Sequence, residues 1–124
     1  MYHLQRAYDY DAQSGQHAVL LDRLWPRGLS KQKLAGVVWE KDATPSTELR
    51  HWLHEDHEGR FDSFSTRFTQ ELTDSEAAQQ ALQRIRSLHR EHGALTLLTA
   101  ARDPEHSHLS VLARVLKQRG KTAH

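Results

Sequence analysis

Short runs of apolar residues alternate along this chain with longer stretches in which apolar residues recur every three or four positions. The short runs predict strands at residues 4–8, 17–21, 37–39 and 94–99. The second and fourth runs are almost continuously apolar. That pattern is typical of central strands that are covered on both faces.

The longer stretches predict helices. One covers residues 44–53, where Thr44 or Ser46 can act as the cap and the early proline is tolerated. Residues 56–59 interrupt it. A stripe of phenylalanines at helical spacing then predicts a second helix over residues 61–72.

Two further helices are expected in the second half of the chain. Thr73 and Glu76 form a capping-box pattern for a helix that ends at Gly93. The last helix opens at Pro104, with Asp103 as its cap.

Together with a short helical segment over residues 29–35, these elements alternate strand and helix. We therefore predict an α/β fold, with a small, largely parallel central sheet of about four strands and helices packed on its faces. The length of 124 residues suits one domain, and we expect residues 1–124 to form it.

The composition excludes several classes of function but does not identify the function. The chain carries 17 basic and 16 acidic residues, which argues against a nucleic-acid coat or a polybasic membrane surface. It has no cysteine, which excludes disulfides and cysteine nucleophiles. Because it has neither an apolar run of about 18 residues nor an N-terminal signal pattern, we expect a cytoplasmic protein that does not associate with membranes.

The stretch from Asp22 to Lys31, DRLWPRGLSK, is the strongest indication of a functional site. It follows a predicted central strand and combines an acid, two arginines, a tryptophan and a glycine. A loop that served only as a turn would use small polar residues. Arg23 and Arg27 instead offer planar forks of N–H donors, which suit phosphate or carboxylate.

A second group of charged residues follows the strand at residues 94–99. Neighbouring parallel strands end at the same edge of a sheet, and α/β proteins bind ligands there. The start of the last helix also favours anions. We therefore expect an anion site at this edge. Its candidate ligand-binding residues are Arg23, Trp25, Arg27, Gly28, Arg50, Arg102 and Asp103, and its candidate acid or base is Asp22 or His106.

Simpler structural roles are open to several of these residues. Asp22 with Arg102, or Arg23 with Asp103, can form buried structural ion pairs. Asp103 can serve only as a helix cap. Trp25 can be a lid on the core whose indole nitrogen donates one hydrogen bond, and we prefer that interpretation.

Ten histidines raise the question of a metal site. His51, His54 and His57 follow one another at spacings of three, and His106 and His108 are two residues apart. Neither arrangement matches the HExxH or Cys/His patterns of zinc sites, so no metal is predicted. His106 is either an acid or base near the anion or a solvated surface residue.

Taken together, the motifs resemble the YeaO-like family, catalogued as domain of unknown function 488. DRLWPRGLSK, TPSTELRHW and LTLLTAARDPEHSH carry the resemblance, which extends from about residue 4 to residue 116. Thr44 stands where the family pattern has alanine, and Ser107 where it has asparagine. The resemblance implies a small, soluble bacterial α/β protein and supplies no established reaction. The positions that match the family pattern are Asp22, Arg23, Trp25, Pro26, Arg27, Gly28, Pro45, Ser46, Arg50, Arg102, Asp103 and His106.

Two functions of different classes follow from the sequence. The first is an enzyme or binding domain for an anionic small molecule, such as a nucleotide or a phosphorylated metabolite. The second is a non-catalytic regulatory or protein-interaction module with Trp25 and an arginine as its anchors. Nucleic-acid binding ranks third, because basic residues near helix ends also complement helix dipoles. The sequence leaves open whether a reaction is catalysed, which cofactor is used and what the oligomeric state is.

Overall fold

Four parallel strands form the central sheet of the computed structural model, which describes residues 1–122 and the side chains of residues 1–118. The strands are β1 (Tyr2–Arg6), β2 (Ala18–Leu20), β3 (Val38–Trp39) and β4 (Leu95–Thr99). Their order across the sheet is β1-β4-β2-β3, and every pairing is parallel. The two most apolar runs of the sequence thus become the two central strands. The predicted α/β fold with a parallel sheet is confirmed.

Four α-helices accompany the sheet: α1 (Thr47–Glu55), α2 (His57–Asp74), α3 (Glu76–His92) and α4 (His108–Thr122). Three single turns of 3-10 helix lie at Ala7–Asp9, Lys41–Ala43 and Pro104–His106. The first three α-helices connect β3 to β4, and α4 follows β4.

Polar side chains fix where α1 and α2 begin. Ser46 caps α1, since its side chain accepts a hydrogen bond from the Leu49 amide. Asp56 ends α1 and at the same time caps α2 by accepting a hydrogen bond from the Gly59 amide. The interruption predicted at residues 56–59 is therefore a direct junction between two helices.

Two predicted details in other parts of the chain are wrong. The cap of α3 is Ser75 rather than Thr73, because the Ser75 side chain accepts a hydrogen bond from the Ala78 amide. Residues 29–35 form turns instead of a short helix. Gly28 precedes this segment and Gly36 follows it, and both have φ in the left-handed region that favours glycine.

The two faces of the sheet are covered differently. Val19 and Leu97 face the larger core, to which all four α-helices contribute. Leu20 and Leu98 point the other way, into a smaller core formed with segments that are not α-helical, Trp25 among them. The loop that follows β2 is therefore folded onto the sheet, close to the ends of the central strands.

Candidate functional site

The carboxyl ends of three strands lie side by side at one edge of the sheet. β4 lies between β1 and β2, with Thr99 opposite Arg6 and Leu98 opposite Leu20. The Leu21 amide extends the pairing by donating to the Leu98 carbonyl. The segments that follow these strands therefore leave the sheet at one place, as the sequence predicts for β2 and β4.

A cavity of about 370 Å³ opens at this edge, and we call it the strand-end cavity. The residues of the predicted anion site that line it are Asp22, Arg23, Trp25, Arg27 and Arg50. Its lining also includes residues that the sequence did not assign to the anion site, namely Tyr8, Leu24, His54, Thr99 and His108. Four predicted residues do not line it, namely Gly28, Arg102, Asp103 and His106.

Asp22 ties the end of β2 to the end of β4. Its Oδ1 accepts a hydrogen bond of 2.7 Å from the Thr99 hydroxyl, and its Oδ2 accepts one of 2.7 Å from the Ala100 amide. The alternative in which Asp22 pairs with Arg102 is wrong, because Arg102 is exposed and Asp22 instead accepts hydrogen bonds from these two neutral donors. This arrangement suits an orienting role better than proton transfer.

Arg23 holds the backbone that leads into α1. Its Nε donates to the Pro45 carbonyl and its Nη2 to the Thr44 carbonyl, each at 3.1 Å. The alternative ion pair with Asp103 is not formed. Because its partners are neutral carbonyls, no acid in the described part of the chain neutralises the charge of Arg23. The guanidinium also has more N–H donors than these two bonds use.

Trp25 forms a fixed part of the cavity wall. Its indole nitrogen donates to the Leu29 carbonyl at 2.7 Å, and its ring meets Trp39 edge-on with the centroids 5.3 Å apart. This half-buried ring agrees with the preferred interpretation of a lid that donates one hydrogen bond. Gly28 has a φ of 83° within a turn that the Leu29 amide closes by donating to the Pro26 carbonyl.

Arg27 and Arg50 bring unpaired guanidiniums to the strand-end cavity. Neither side chain makes a hydrogen bond or an ion pair within the part of the chain that the structure describes. Arg27 is exposed, and its backbone carbonyl accepts a hydrogen bond from the Tyr8 hydroxyl at 2.8 Å. Arg50 lies on α1 and is half-buried.

His108 is a lining residue whose importance the sequence analysis missed. Its imidazole Nε2 donates to the Leu21 carbonyl and lies 3.7 Å from Asp22 Oδ1. Burial lowers the pKa of His108 and Arg50 lowers it further, although Asp22 and the hydrogen bond to Leu21 act in the opposite direction. The lowered pKa favours the neutral ring, in which the Nε2 that donates to Leu21 carries the proton.

The start of α4 explains why His108 reaches the cavity. The Ser107 side chain accepts a hydrogen bond of 3.1 Å from the Leu109 amide, so the helix begins at His108. The predicted start at Pro104 is wrong, because that proline opens only a 3-10 turn. Serine followed by a helical pattern is the sequence signal that identifies the true start.

Arg102, Asp103 and His106 lie on the surface, outside the strand-end cavity. Asp103 makes no capping hydrogen bond through its side chain, which instead pairs with His106 at 2.8 Å between Oδ2 and Nδ1. This hydrogen bond is the main cause that lowers the pKa of Asp103. The structure does not bring these three residues together with the arginines that line the cavity.

The charges that line the strand-end cavity favour an anion. The lining has three guanidiniums, from Arg23, Arg27 and Arg50, and among the described residues one carboxylate, from Asp22. That carboxylate is already hydrogen-bonded. The cavity therefore carries an excess of positive charge that attracts negatively charged ligands.

A larger cleft of about 680 Å³ shares Arg23 and Thr44 with the strand-end cavity and extends along α2 and α3. Its two guanidiniums, from Arg23 and Arg67, are outnumbered by carboxylates. The carboxylates come from Asp42, Glu48, Glu71 and Asp74. This balance does not suit an anion, so the smaller cavity is the better candidate site.

The histidines among residues 1–118 do not form a cluster with the geometry of a metal centre. His51 and His54 are exposed on α1, and His57 stacks on Phe61 at the start of α2. Where side chains are described, in residues 1–118, no group of three or more histidine, aspartate or glutamate side chains is arranged to hold a metal ion. None of the helices in residues 1–122 has the length and apolar character needed to cross a membrane.

Fold and site together define a class of protein. It is a small α/β protein with a parallel four-stranded sheet and a basic cavity at the carboxyl ends of the strands.

Within that class the chain belongs to the DUF488-N3i family, described as the inactive DUF488-N3 subclade, whose model matches residues 1–124. It is 42% identical over 111 residues to an uncharacterised protein of Mycobacterium bovis, covering 90% of this chain and 88% of the relative. It is 37% identical over 113 residues to the uncharacterised protein YeaO of Escherichia coli, covering 91% of this chain and 94% of YeaO. The resemblance inferred from the motifs is therefore confirmed. No solved structure matches the chain.

Proposed function

We propose that this protein is a binding domain for a small phosphate-like anion, which it holds in the strand-end cavity without transforming it. The Arg50 guanidinium carries the proposal, because it lines the cavity, is half-buried and has no hydrogen-bond or ion-pair partner within the described residues. Removing a charge from water without a partner is unfavourable, and a bound anion offsets that penalty. Arg27 lines the same cavity and is also unpaired.

Binding accounts better than catalysis for the groups that could transfer a proton. Both oxygens of Asp22 accept hydrogen bonds from Thr99 and Ala100. The Nε2 of His108 is engaged by the Leu21 carbonyl. The description of the family as inactive agrees with this proposal.

The second candidate, a regulatory or protein-interaction module anchored on Trp25, gains less support. An anchor residue of a protein interface is expected to be available to its partner. The Trp25 ring is half-buried, its nitrogen donates to the Leu29 carbonyl, and the ring packs against Trp39.

Substitution of Arg50 by glutamine tests the proposal, with Arg102→Gln as the matched control. Each variant loses one guanidinium, but Arg102 is exposed and does not line the cavity. In calorimetric titrations with inorganic phosphate, we expect Arg102→Gln to bind like the wild type and Arg50→Gln to bind at least about tenfold more weakly. The expectation follows because a hydrogen bond to a charged group contributes roughly 1.5–3 kcal/mol.

Arg23 is less suitable for this test, because its hydrogen bonds to Thr44 and Pro45 also hold the backbone before α1. A second readout is thermal unfolding, since phosphate at about 100 times its Kd raises the free energy of unfolding by about 2.7 kcal/mol. The proposal is wrong if the wild type does not bind phosphate, or if Arg50→Gln binds it as tightly as the wild type.

A further inference from the structure

Leu24 is an apolar side chain that the fold leaves in water beside the arginines. It is 71% exposed, and among the described residues the other large apolar side chains with high exposure are Met1 and Val38. Of these three, Leu24 is the one that lines the strand-end cavity. An exposed leucine at the wall of a charged cavity suits a ligand that covers it with apolar surface.

The neighbouring aromatic side chains extend this apolar wall. Trp25 lines the cavity and is held in place by its hydrogen bond to Leu29 and its contact with Trp39. Tyr8 also lines the cavity, and its hydroxyl is fixed on the Arg27 carbonyl. Rigid rings of this kind offer a flat, preformed surface to a planar or apolar group.

The cavity therefore combines two chemistries. Arg27 and Arg50 supply charge that no described residue pairs with, and Tyr8, Leu24 and Trp25 supply apolar surface. A volume of about 370 Å³ lies at the lower end of the range for pockets that hold small organic ligands and exceeds what a bare oxyanion fills.

We infer that the ligand is a phosphate monoester whose ester group is apolar or aromatic, with the phosphate on the guanidiniums and the ester group on Leu24 and Trp25. The inference rests on the proposed function and adds the chemical class of the ligand. A phosphate monoester matches the excess of guanidiniums over carboxylates better than a singly charged carboxylate does.

Three small probes test the inference: methyl phosphate, phenyl phosphate and benzoate. The two phosphates carry the same charged group and differ in apolar size, whereas benzoate has the ring without the phosphate. We expect the wild type to bind phenyl phosphate about tenfold more tightly than methyl phosphate, and more tightly than benzoate.

Leu24→Asn tests whether the Leu24 side chain causes the preference for phenyl phosphate, with Val38→Thr as the matched control. Both substitutions replace an exposed apolar side chain with a polar one of similar size, but Val38 does not line the cavity. We expect Leu24→Asn to keep the affinity for methyl phosphate. Its preference for phenyl phosphate should fall to about threefold or less. Val38→Thr should keep the full preference.

The outcomes separate this inference from the proposed function. If methyl phosphate binds and phenyl phosphate binds no more tightly, or if Leu24→Asn keeps the full preference, the ligand class is wrong while the anion site stands. If benzoate binds as tightly as phenyl phosphate, the assignment of a phosphate ester is wrong. If none of the three probes binds, the ligand class is wrong, and the titration with inorganic phosphate then decides whether the anion site stands.

Discussion

At the scale of single residues, His108 is the titratable group that connects the stability of the protein to the strand-end cavity. Its ring donates to the Leu21 carbonyl and is surrounded by Asp22 and Arg50. Burial is the largest effect and lowers the pKa of His108 below that of an exposed histidine. A group whose pKa is lower in the folded protein takes up protons more readily when the chain is unfolded.

We therefore expect the free energy of unfolding to fall as the pH is lowered below about 6.5, the ordinary pKa of histidine. His108→Gln keeps a side-chain donor but does not titrate, so its stability should fall less between pH 8 and pH 5.5 than that of the wild type. Urea unfolding across this range measures the difference. The pKa of His89 is also lowered, but His89 is present in both proteins and its effect cancels in the comparison.

Equal losses of stability in the two proteins over this pH range would show that His108 is not held neutral by burial. The same comparison in the presence of phosphate is informative, because Arg50 contributes to the lowered pKa of His108. An anion on Arg50 should weaken that effect and reduce the pH dependence of the wild type.

At the scale of elements, the start of α1 is held by side chains from two distant parts of the chain. Arg23 donates to the carbonyls of Thr44 and Pro45, and Glu71 of α2 accepts hydrogen bonds from the amide and hydroxyl of Ser46 at 2.9 and 2.6 Å. The carboxylate of Glu71 also complements the positive end of the α1 dipole. This arrangement matters for the strand-end cavity because α1 carries Arg50.

Glu71→Ala should therefore destabilise the protein by about 1.5–3 kcal/mol, because it removes two hydrogen bonds to a charged group. It should also weaken phosphate binding, since the helix that carries Arg50 loses a constraint. Glu48→Ala is the matched control. Glu48 lines the larger cleft together with Glu71, but it is exposed and makes no hydrogen bond among the described residues. Chemical denaturation and phosphate titration of both variants check the two expectations, and similar results for the two variants would contradict this role of Glu71.

The helix caps show which contacts at a helix start can be predicted from the local sequence. Ser46 was one of two caps predicted for α1, and the pattern around it was sufficient because the cap hydrogen bond is local. Glu71 could not be predicted as its partner, since the contact depends on how α2 packs on α1. The sequence predicts the start of α4 at Pro104, because proline is favoured in the first turn of a helix, but this proline opens a 3-10 turn and α4 begins after Ser107.

At the scale of the whole molecule, the parallel sheet could be predicted because β2 and β4 are almost continuously apolar. Their common edge, and thus the place of the cavity, followed from the rule that parallel strands end together. The partners of Asp22 and Arg23 did not follow, because Thr99 and the carbonyl of Pro45 are neutral groups that a search for opposite charges overlooks. Five of the predicted site residues line the cavity, whereas Arg102 extends to the surface.

The position of a bound anion tests the central claim most directly. Crystals of the protein grown with tungstate, a heavy tetrahedral oxyanion, would reveal it through anomalous scattering. The account predicts one ordered oxyanion in the strand-end cavity, with its oxygens within hydrogen-bond distance of the Arg50 guanidinium, and its loss in Arg50→Gln. An empty strand-end cavity at saturating tungstate, or an oxyanion bound at Arg102 instead, would contradict it.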